Sequence, residues 1–239
     1  MNNLKKIILF IVEGLHDKDS LSLILSNLLK PDLIEFCIIG GDITSEYQSK
    51  PYNIERKLKK SIDLFFKNNK ALKKSDLKQI IHLVDIDGAY INKNQIIYNK
   101  DALKTRYNCQ TLETNKIEKV IDRNIRKQAI LNYLPTTTKL WNIPYSIYYF
   151  SCHLEHVLHQ LLNVEKKEKE KLAINFVQSF INNETDFINF LNLLIIHDDY
   201  KESWQDIKKE NYSLKRLTNL SIGLKKLLNH KGEEFFDGN

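Results

Sequence analysis

The stretch Ile80-Ile81-His82-Leu83-Val84-Asp85-Ile86-Asp87-Gly88 decides the fold, because a run of branched apolar residues ends there in two acidic residues one position apart. An apolar run this short, without polar alternation, is typical of a strand buried on both faces in a parallel sheet. Asp85 and Asp87 then lie at the carboxyl end of that strand, where open α/β sheets bind ligands. Residues i and i+2 of an extended backbone point to the same side, so we expect the two carboxylates to converge.

Two interpretations of this acidic pair stay open at this point. Neighbouring carboxylates repel each other, and a hard divalent cation with oxygen ligands is the usual way to relieve that repulsion. Alternatively, Asp85 only caps the strand and Asp87-Gly88 is a turn, since Asp and Gly are common turn residues. An Asp-x-Asp pattern does not by itself choose between a metal site and a turn.

Length and composition favour a cytoplasmic protein without membrane contact. The 239 residues suffice for one large domain or a medium domain with a smaller appendage. The longest apolar run, Ile7 to Val12, is much shorter than the roughly 20 residues of a membrane span, and no signal-peptide cleavage site follows it. The three cysteines, Cys37, Cys109 and Cys152, are widely spaced, so we expect them to be reduced thiols.

Positive charge is concentrated in the part of the chain that holds the acidic pair. Residues 1–150 contain 24 Lys and Arg against 16 Asp and Glu, whereas residues 151–239 contain 12 against 14. A basic region around an acidic motif suits a site that binds a polyanion such as nucleic acid close to a metal ion. The alternative is a compositional bias without function, because Lys and Asn are abundant throughout the sequence.

The order of hydrophobic patterns predicts an α/β fold. Continuous apolar runs predict four strands, at Lys5 to Val12, Glu35 to Ile39, from Gln79 onward, and Tyr145 to Phe150. Spacings of three and four residues predict helices at Asp17 to Leu29, Ile54 to Phe66, Lys116 to Leu134 and Cys152 to Leu162. Alternating strands and helices imply right-handed crossovers, so we expect a parallel sheet of about four strands flanked by helices. Residues 89–114 lack a clear period and predict a connecting loop with at most one hairpin.

Two short motifs resemble the Toprim domain shared by topoisomerases, bacterial primases, small RNA-maturation nucleases and OLD-type nucleases. They are Ile11-Val12-Glu13-Gly14-Leu15-His16-Asp17-Lys18-Asp19-Ser20-Leu21, after the first strand, and Leu83-Val84-Asp85-Ile86-Asp87-Gly88. The resemblance covers about residues 5–150. It implies that Asp85 and Asp87 hold Mg²⁺ or Mn²⁺ and that Glu13 coordinates the metal or acts as a general acid or base. Asp17 is a further candidate, with a helix cap as its alternative role.

A third segment, Tyr148-Tyr149-Phe150-Ser151-Cys152-His153-Leu154-Glu155-His156-Val157-Leu158-His159, resembles the Ser-x-x-x-Leu-Glu segment of RloB-like and AriB-like Toprim proteins of prokaryotic antiviral defence. This resemblance implies that Glu155 joins the acidic cluster, with Ser151 and His159 close by. The chain departs from the RloB-like form because no Pro precedes the segment and no aromatic residue follows the Glu.

The histidines of this segment, His153, His156 and His159, also suggest a zinc site. Steps of three residues drift by about 60° around a helix, so the outer two histidines are poorly placed to share one ion. We therefore favour packing or phosphate contact for these side chains.

Together these features predict a Mg²⁺- or Mn²⁺-dependent Toprim endonuclease with Glu13, Asp85, Asp87 and Glu155 as catalytic and metal-binding residues. The resemblance implies cleavage of RNA such as tRNA, or of DNA, by the toxic effector of an anti-phage defence system. Candidate phosphate contacts are Lys18, Lys59, Lys60, Arg123 and Arg126, with ordinary surface charge as the alternative. Other hypotheses are a housekeeping RNA-maturation nuclease and a non-catalytic module that binds nucleic acid or a partner.

We expect residues 1–162 to form the catalytic domain and residues 163–239 to form a helical extension. The extension contains an apolar set too large for one isolated helix to hide: Phe176, Phe180, Phe187, Phe190, Leu193 and Leu194. This set either packs on the sheet or docks a partner, such as an ATPase sensor or a second copy of the chain. The sequence has no Gly-x-x-x-x-Gly-Lys-Ser/Thr loop, so any ATP-driven step would come from another chain.

Overall fold

The computed structural model describes residues 7–30, 32–181, 183–209 and 211–234. The strands are β1 (Ile7–Val12), β2 (Leu33–Ile38), β3 (Leu77–Asp85), β4 (Ile96–Tyr98), β5 (Arg106–Tyr107), β6 (Leu112–Thr114), β7 (Lys139–Leu140) and β8 (Ile143–Phe150). The helices are α1 (Leu15–Leu28), α2 (Ile54–Asn68), α3 (Ile117–Tyr133), α4 (Leu154–His159), α5 (Lys166–Phe180), α6 (Glu184–Asn192), α7 (Tyr200–Asp206) and α8 (Leu220–Glu234). None of these helices is long and apolar enough to span a membrane.

A five-stranded sheet with the order β2-β1-β3-β8-β7 forms the centre of the fold. The first four strands are parallel, and the short β7 pairs antiparallel with β8 at the edge. The predicted α/β class and the four parallel strands are confirmed, whereas the edge strand was not predicted. Lys5 and Lys6, the first residues of the predicted first strand, lie outside the described residues.

The sheet is buried on both faces, which explains why its strands lack polar alternation. In β1, Ile7, Leu9 and Ile11 point to one face and alternate residues point to the other, and all are at most 1% exposed. The helices α2 and α3 cover the first face. The helices α1, α4, α5, α6 and α8 cover the second.

The helical extension packs on the sheet, which was the first of its two predicted alternatives. Phe176, Phe187 and residues of α8 are buried against the second face. A Cβ atom at Gly223 in α8 would overlap the ring of Tyr148, so this helix lies directly against β8. Leu193 of the predicted apolar set remains 84% exposed.

The helix predicted at Cys152 to Leu162 is shorter in the structure. Its observed form, α4, ends at His159 because Gln160 adopts a left-handed φ of 63°. The extension also contains α7, which the apolar spacing did not predict.

Residues 89–114, predicted as a connecting loop with at most one hairpin, contain a second sheet with the order β4-β6-β5. β6 pairs parallel with β4 and antiparallel with β5. A small core that includes Ile96, Leu112 and Val120 supports this sheet. The sheet places Tyr107 beside the carboxyl end of β3, where its hydroxyl lies 3.1 Å from Asp87 Oδ1.

Candidate functional site

Acidic residues from the segments that follow β1, β2, β3 and β8 meet at the carboxyl edge of the sheet. This edge collects ligands in open parallel sheets because the loops after neighbouring strands converge there. Six carboxylates are near enough to influence the ionisation of others in the group: Glu13, Asp17, Asp42, Asp85, Asp87 and Glu155. The structure therefore brings together the four predicted site residues and adds Asp17 and Asp42.

Asp42 is held near Glu13 by the way the ends of β1 and β2 are joined. The backbone carbonyl of Glu13 accepts hydrogen bonds from the N–H groups of Gly40 and Gly41, at 3.0 and 3.1 Å. Gly40 has a φ of 75°, which glycine adopts without strain. The Asp42 carboxylate then accepts the Thr44 N–H at 2.9 Å. Asp42 was missed as a site residue, although Gly40-Gly41-Asp42 closes a predicted strand as Glu13-Gly14 does.

The Asp85-Ile86-Asp87-Gly88 stretch forms a tight turn that sends the two carboxylates to different partners. Asp85 ends β3, and its Oδ1 accepts the N–H of Leu154 at the start of α4, at 3.0 Å. Asp87 has a left-handed φ of 53°, so the expectation that both residues share an extended backbone is wrong. Gly88 is also left-handed, with a φ of 64°, and a Cβ there would lie 2.6 Å from a methyl carbon of Leu214.

Lys127 of α3 lies between two of the carboxylates and is completely buried. Its Nζ lies 2.9 Å from Asp42 Oδ2 and also donates to Asp87 Oδ2. Burial opposes the charged form, but Asp42 and Asp87 raise the pKa of Lys127 well above its ordinary value. In return, Lys127 overcomes the effect of burial and lowers the pKa of both carboxyls. We call Asp42, Asp87 and Lys127 the paired half of the cluster.

Arg123, one turn before Lys127 on α3, also serves the paired half. Its guanidinium donates to the backbone carbonyl of Asp87 at 2.8 Å and to the Tyr107 hydroxyl at 3.1 Å. The first contact fixes the backbone of the turn at Asp87. The second holds the Tyr107 hydroxyl, which in turn donates to Asp87 Oδ1.

Glu13, Asp17 and Asp85 form the other part of the cluster, which we call the open half. Burial, and then the neighbouring carboxylates, raise the pKa of Glu13 and Asp85 well above the ordinary range. Burial also raises the pKa of Asp17 to about 6, even though its carboxylate accepts the Gly14 N–H at 2.8 Å at the start of α1. The helix-capping role considered for Asp17 is therefore present.

The open half fits a hard divalent cation. Its donors are all carboxylate oxygens, and Oε1 of Glu13 is buried without a hydrogen-bond partner among the described residues. A bound cation would offset the burial and the repulsion between carboxylates that raise these pKa values. Within residues 7–234, apart from the undescribed positions 31, 182 and 210, no group of three His, Cys, Asp or Glu side chains is placed so that it could hold a metal ion without some side-chain movement. That range includes the histidines at 153, 156 and 159, which were considered above as a zinc site.

Glu155 lies near Asp17 and Asp85 of the open half and is almost completely buried on α4. Its oxygens contact Lys169 Nζ at 2.5 Å and His153 Nδ1 at 3.1 Å. Despite burial, hydrogen bonds from these two residues lower the pKa of Glu155 to about 2. The second ring nitrogen of His153 donates to the Leu162 carbonyl at 2.8 Å, and these hydrogen bonds raise the pKa of His153 to about 10 although burial opposes this. Lys169 of α5 was not predicted.

Ser151 and His159, expected beside Glu155, contact other parts of the chain. Ser151 Oγ donates to the Lys215 carbonyl and accepts the Leu217 N–H at 3.0 Å, so it anchors the segment before α8. The His159 ring packs edge-on against Phe176, with 5.4 Å between centroids. Both side chains therefore help to attach the helical extension.

The predicted phosphate contacts fall into two groups. Arg123 contacts the paired half, and Arg126 donates to a backbone carbonyl in the loop after β2 at 3.1 Å. Lys59 pairs with a glutamate one turn earlier on α2 at 3.5 Å. No hydrogen bond or ion pair in the described part of the chain joins Lys18, Lys59 or Lys60 to the six carboxylates.

A cleft of about 870 Å³ opens onto the carboxylates Asp85, Asp87 and Glu155. Its walls come from residues 101–107 and from the start of α5 and the segment before it. Basic side chains line it: Lys104, Arg106, Lys166, Lys167 and Lys169. The basic residues closest to the acidic cluster on this side are thus not those that the sequence suggested.

Comparison with known proteins identifies no family for this chain. No family model matches it, and no solved structure matches it. One curated protein, a MATH and LRR domain-containing protein of Plasmodium falciparum, is 26% identical over 192 residues. That match covers 77% of this chain but only 2% of the length of the other protein.

Proposed function

We propose that this chain is a Toprim-type endonuclease that depends on Mg²⁺ or Mn²⁺ and cleaves phosphodiester bonds in RNA or DNA. The observation that carries the proposal is the open half of the cluster, whose half-buried carboxylates form no ion pair in the described part of the chain. One of them, Asp85, lines a cleft that also carries basic side chains. A phosphate backbone needs positive charge along its path and a metal ion at the bond that breaks.

Glu13 and Asp85 would hold the ion, with Asp87 and Glu155 beside it. When bound, the metal would neutralise charge on the phosphate and activate a water molecule. His153 and Lys169 fix the Glu155 carboxylate in its ionised form, so Glu155 can accept a hydrogen bond from a water in the cleft and orient it. Asp85, whose Oδ1 accepts the Leu154 N–H, has a fixed orientation before any ion arrives.

The side chains along the cleft supply the phosphate contacts in this proposal. Lys104 and Arg106 stand on one wall, and Lys166 and Lys167 stand on the other. A nucleic-acid strand in the cleft would thus have cations on both sides and carboxylates at the reacting phosphate. The resemblance to RloB-like and AriB-like proteins extends the proposal to the effector of an anti-phage defence system. A structured RNA such as tRNA is then the substrate, and an ATPase sensor or a second copy is the partner.

One observation favours a second candidate, a non-catalytic nucleic-acid-binding module. Lys127 and Lys169 already pair with three of the six carboxylates, Asp42, Asp87 and Glu155. A module of this kind would bind nucleic acid through the cleft without needing a divalent ion.

A nuclease assay separates the two candidates. We would incubate the purified chain with tRNA, single-stranded RNA and DNA, with Mg²⁺, Mn²⁺ or EDTA, and compare it with Glu13→Gln and Asp85→Asn. Each change is expected to reduce cleavage by about 100-fold or more, because removal of even a group that supports a metal ligand typically costs 10- to 100-fold. Asp63→Asn, which removes a carboxylate paired with Lys74 on the surface, is the matched control.

The result that contradicts the nuclease proposal is equally specific. Cleavage at full rate by both variants, or nucleic-acid binding without cleavage in every metal condition, would favour the binding module.

A further inference from the structure

Lys127 lies inside the acidic cluster, in contact with two of its carboxylates. It is 0% exposed, and its ammonium bridges Asp42 and Asp87, which come from different strand ends. An ammonium at this depth is tolerated only when carboxylates neutralise it and accept its hydrogen bonds. The pairing is therefore part of the folded structure and not an occasional surface contact.

The carboxylates of the paired half have little capacity left for a metal. Asp87 receives Lys127 on Oδ2 and the Tyr107 hydroxyl on Oδ1. Asp42 receives Lys127 on Oδ2 and Thr44 on Oδ1, through both the N–H and the hydroxyl. Each oxygen of both carboxylates thus has a donor from the chain itself.

The open half has fewer such donors, and those that contact Asp17 and Asp85 are backbone N–H groups without a full charge. Oε1 of Glu13 is buried and accepts no hydrogen bond from a described residue. Asp85 has the Leu154 N–H on one oxygen, and no ion pair in the described part of the chain involves it. The cluster therefore contains one cation position that the chain fills itself and one that it leaves to a ligand.

We propose that Lys127 is a built-in cation that keeps a metal ion out of the paired half, so that the cluster binds a single divalent ion on the side of Glu13 and Asp85. Lys127 is then a positioning residue, because it holds Asp42 and Asp87 and through them the shape of the open half. This inference rests on the proposed function, in that it assumes a divalent ion binds at all.

The test is a Mn²⁺ titration of the full chain by calorimetry, together with thermal unfolding in EDTA and in Mn²⁺. Wild type is expected to bind one Mn²⁺ per chain. Lys127→Met keeps the side-chain length but removes the charge, so it should unfold at lower temperature in EDTA, recover in Mn²⁺ and bind a second Mn²⁺. Lys57→Met, which removes a lysine paired with Glu46 at the surface, should behave as wild type.

A second variant covers the case in which Lys127→Met does not fold. The double change Lys127→Met and Asp42→Asn removes the cation together with one of its carboxylates. It should fold more readily and bind one ion, as wild type does.

The outcomes separate this inference from the proposed function. Two Mn²⁺ ions in wild type would overturn the inference and leave the nuclease proposal standing, whereas no bound ion would overturn both. A folded Lys127→Met protein that binds one ion, without recovering stability in Mn²⁺, would also overturn the inference. Even if neither variant folds, a wild-type stoichiometry other than one would still overturn the inference.

Discussion

The paired half and the open half of the acidic cluster contain the same kind of side chain but differ in how its charge is balanced. In the paired half, Lys127 lowers the pKa of Asp42 and Asp87 in spite of burial. In the open half, burial raises the pKa of Glu13 and Asp85, and the attraction of Lys127 is too weak there to offset it. The difference indicates which half serves the fold and which is free to take a ligand.

The first prediction concerns the paired half and has the largest expected effect. Lys127→Met should lower the free energy of unfolding in EDTA by about 3–5 kcal/mol, because removal of one partner leaves buried carboxylates uncompensated. Lys169→Met should cost clearly less, since Lys169 is 32% exposed and Glu155 keeps His153. Urea denaturation followed by circular dichroism measures both. Equal losses would show that the two lysines do not differ as the structure implies.

The second prediction compares the two aspartates of one motif. In EDTA at pH 8, Asp87→Asn should destabilise the fold by about 2 kcal/mol, because it weakens a charged hydrogen bond to buried Lys127. Asp85→Asn should stabilise the metal-free fold by about 1 kcal/mol, because it removes a buried charge while keeping an oxygen for the Leu154 N–H. The same denaturation experiment suffices. If both variants changed the free energy of unfolding in the same direction, the distinction between the two halves would be wrong.

Most of the fold that supports this distinction could be predicted from local sequence. Mainly apolar runs identified β1, β3 and β8, because strands buried on both faces carry few polar residues between apolar ones. The small second sheet could not be predicted in this way, since strands of two or three residues are too short to show a period.

The site was only partly predictable because the residues that balance its charges come together only in the tertiary structure. In α3, Ile125 is 54% exposed while Lys127 is buried, which is the reverse of what these residue types alone indicate. A lysine in a helix normally faces solvent. Lys127 can be buried because Asp42 and Asp87, which follow other strands of the sheet, neutralise its charge. Glu13 and Asp85, by contrast, follow directly from their places at the ends of predicted strands.

The third prediction is that the two halves respond oppositely to pH. Asp17 has a folded pKa of about 6 and an ordinary unfolded value near 4, so the folded state binds more protons between these values. Stability in EDTA should therefore fall as pH rises from about 4 to above 6, by up to about 3 kcal/mol, which is the value of a shift of about two pKa units. The lowered pKa values of Asp42 and Asp87 give the opposite sign, with stability lost as pH falls below about 4.

Thermal unfolding across this pH range, with and without Mg²⁺, checks the third prediction. Mg²⁺ should abolish the fall above pH 4, because it binds the deprotonated carboxylates and stabilises the state that carries them. In EDTA, Asp17→Asn should make thermal stability less dependent on pH between about 4 and 6. A curve that is flat for wild type in EDTA would contradict the unbalanced charge of the open half.

The last prediction has the smallest effect and asks which basic surface serves the open half. Lys166→Gln and Lys167→Gln remove cations from the cleft, whereas Lys59→Gln and Lys60→Gln remove cations from α2. Removing one lysine that binds a phosphate of a single strand should reduce the slope of log affinity against log salt by about 0.7. Binding of a fluorescent RNA at several salt concentrations, in EDTA to prevent cleavage, measures these slopes. Because the cleft opens onto Asp85 and Glu155, we expect the reduced slope for the pair on α5; a reduction confined to the pair on α2 would place the nucleic acid on another face.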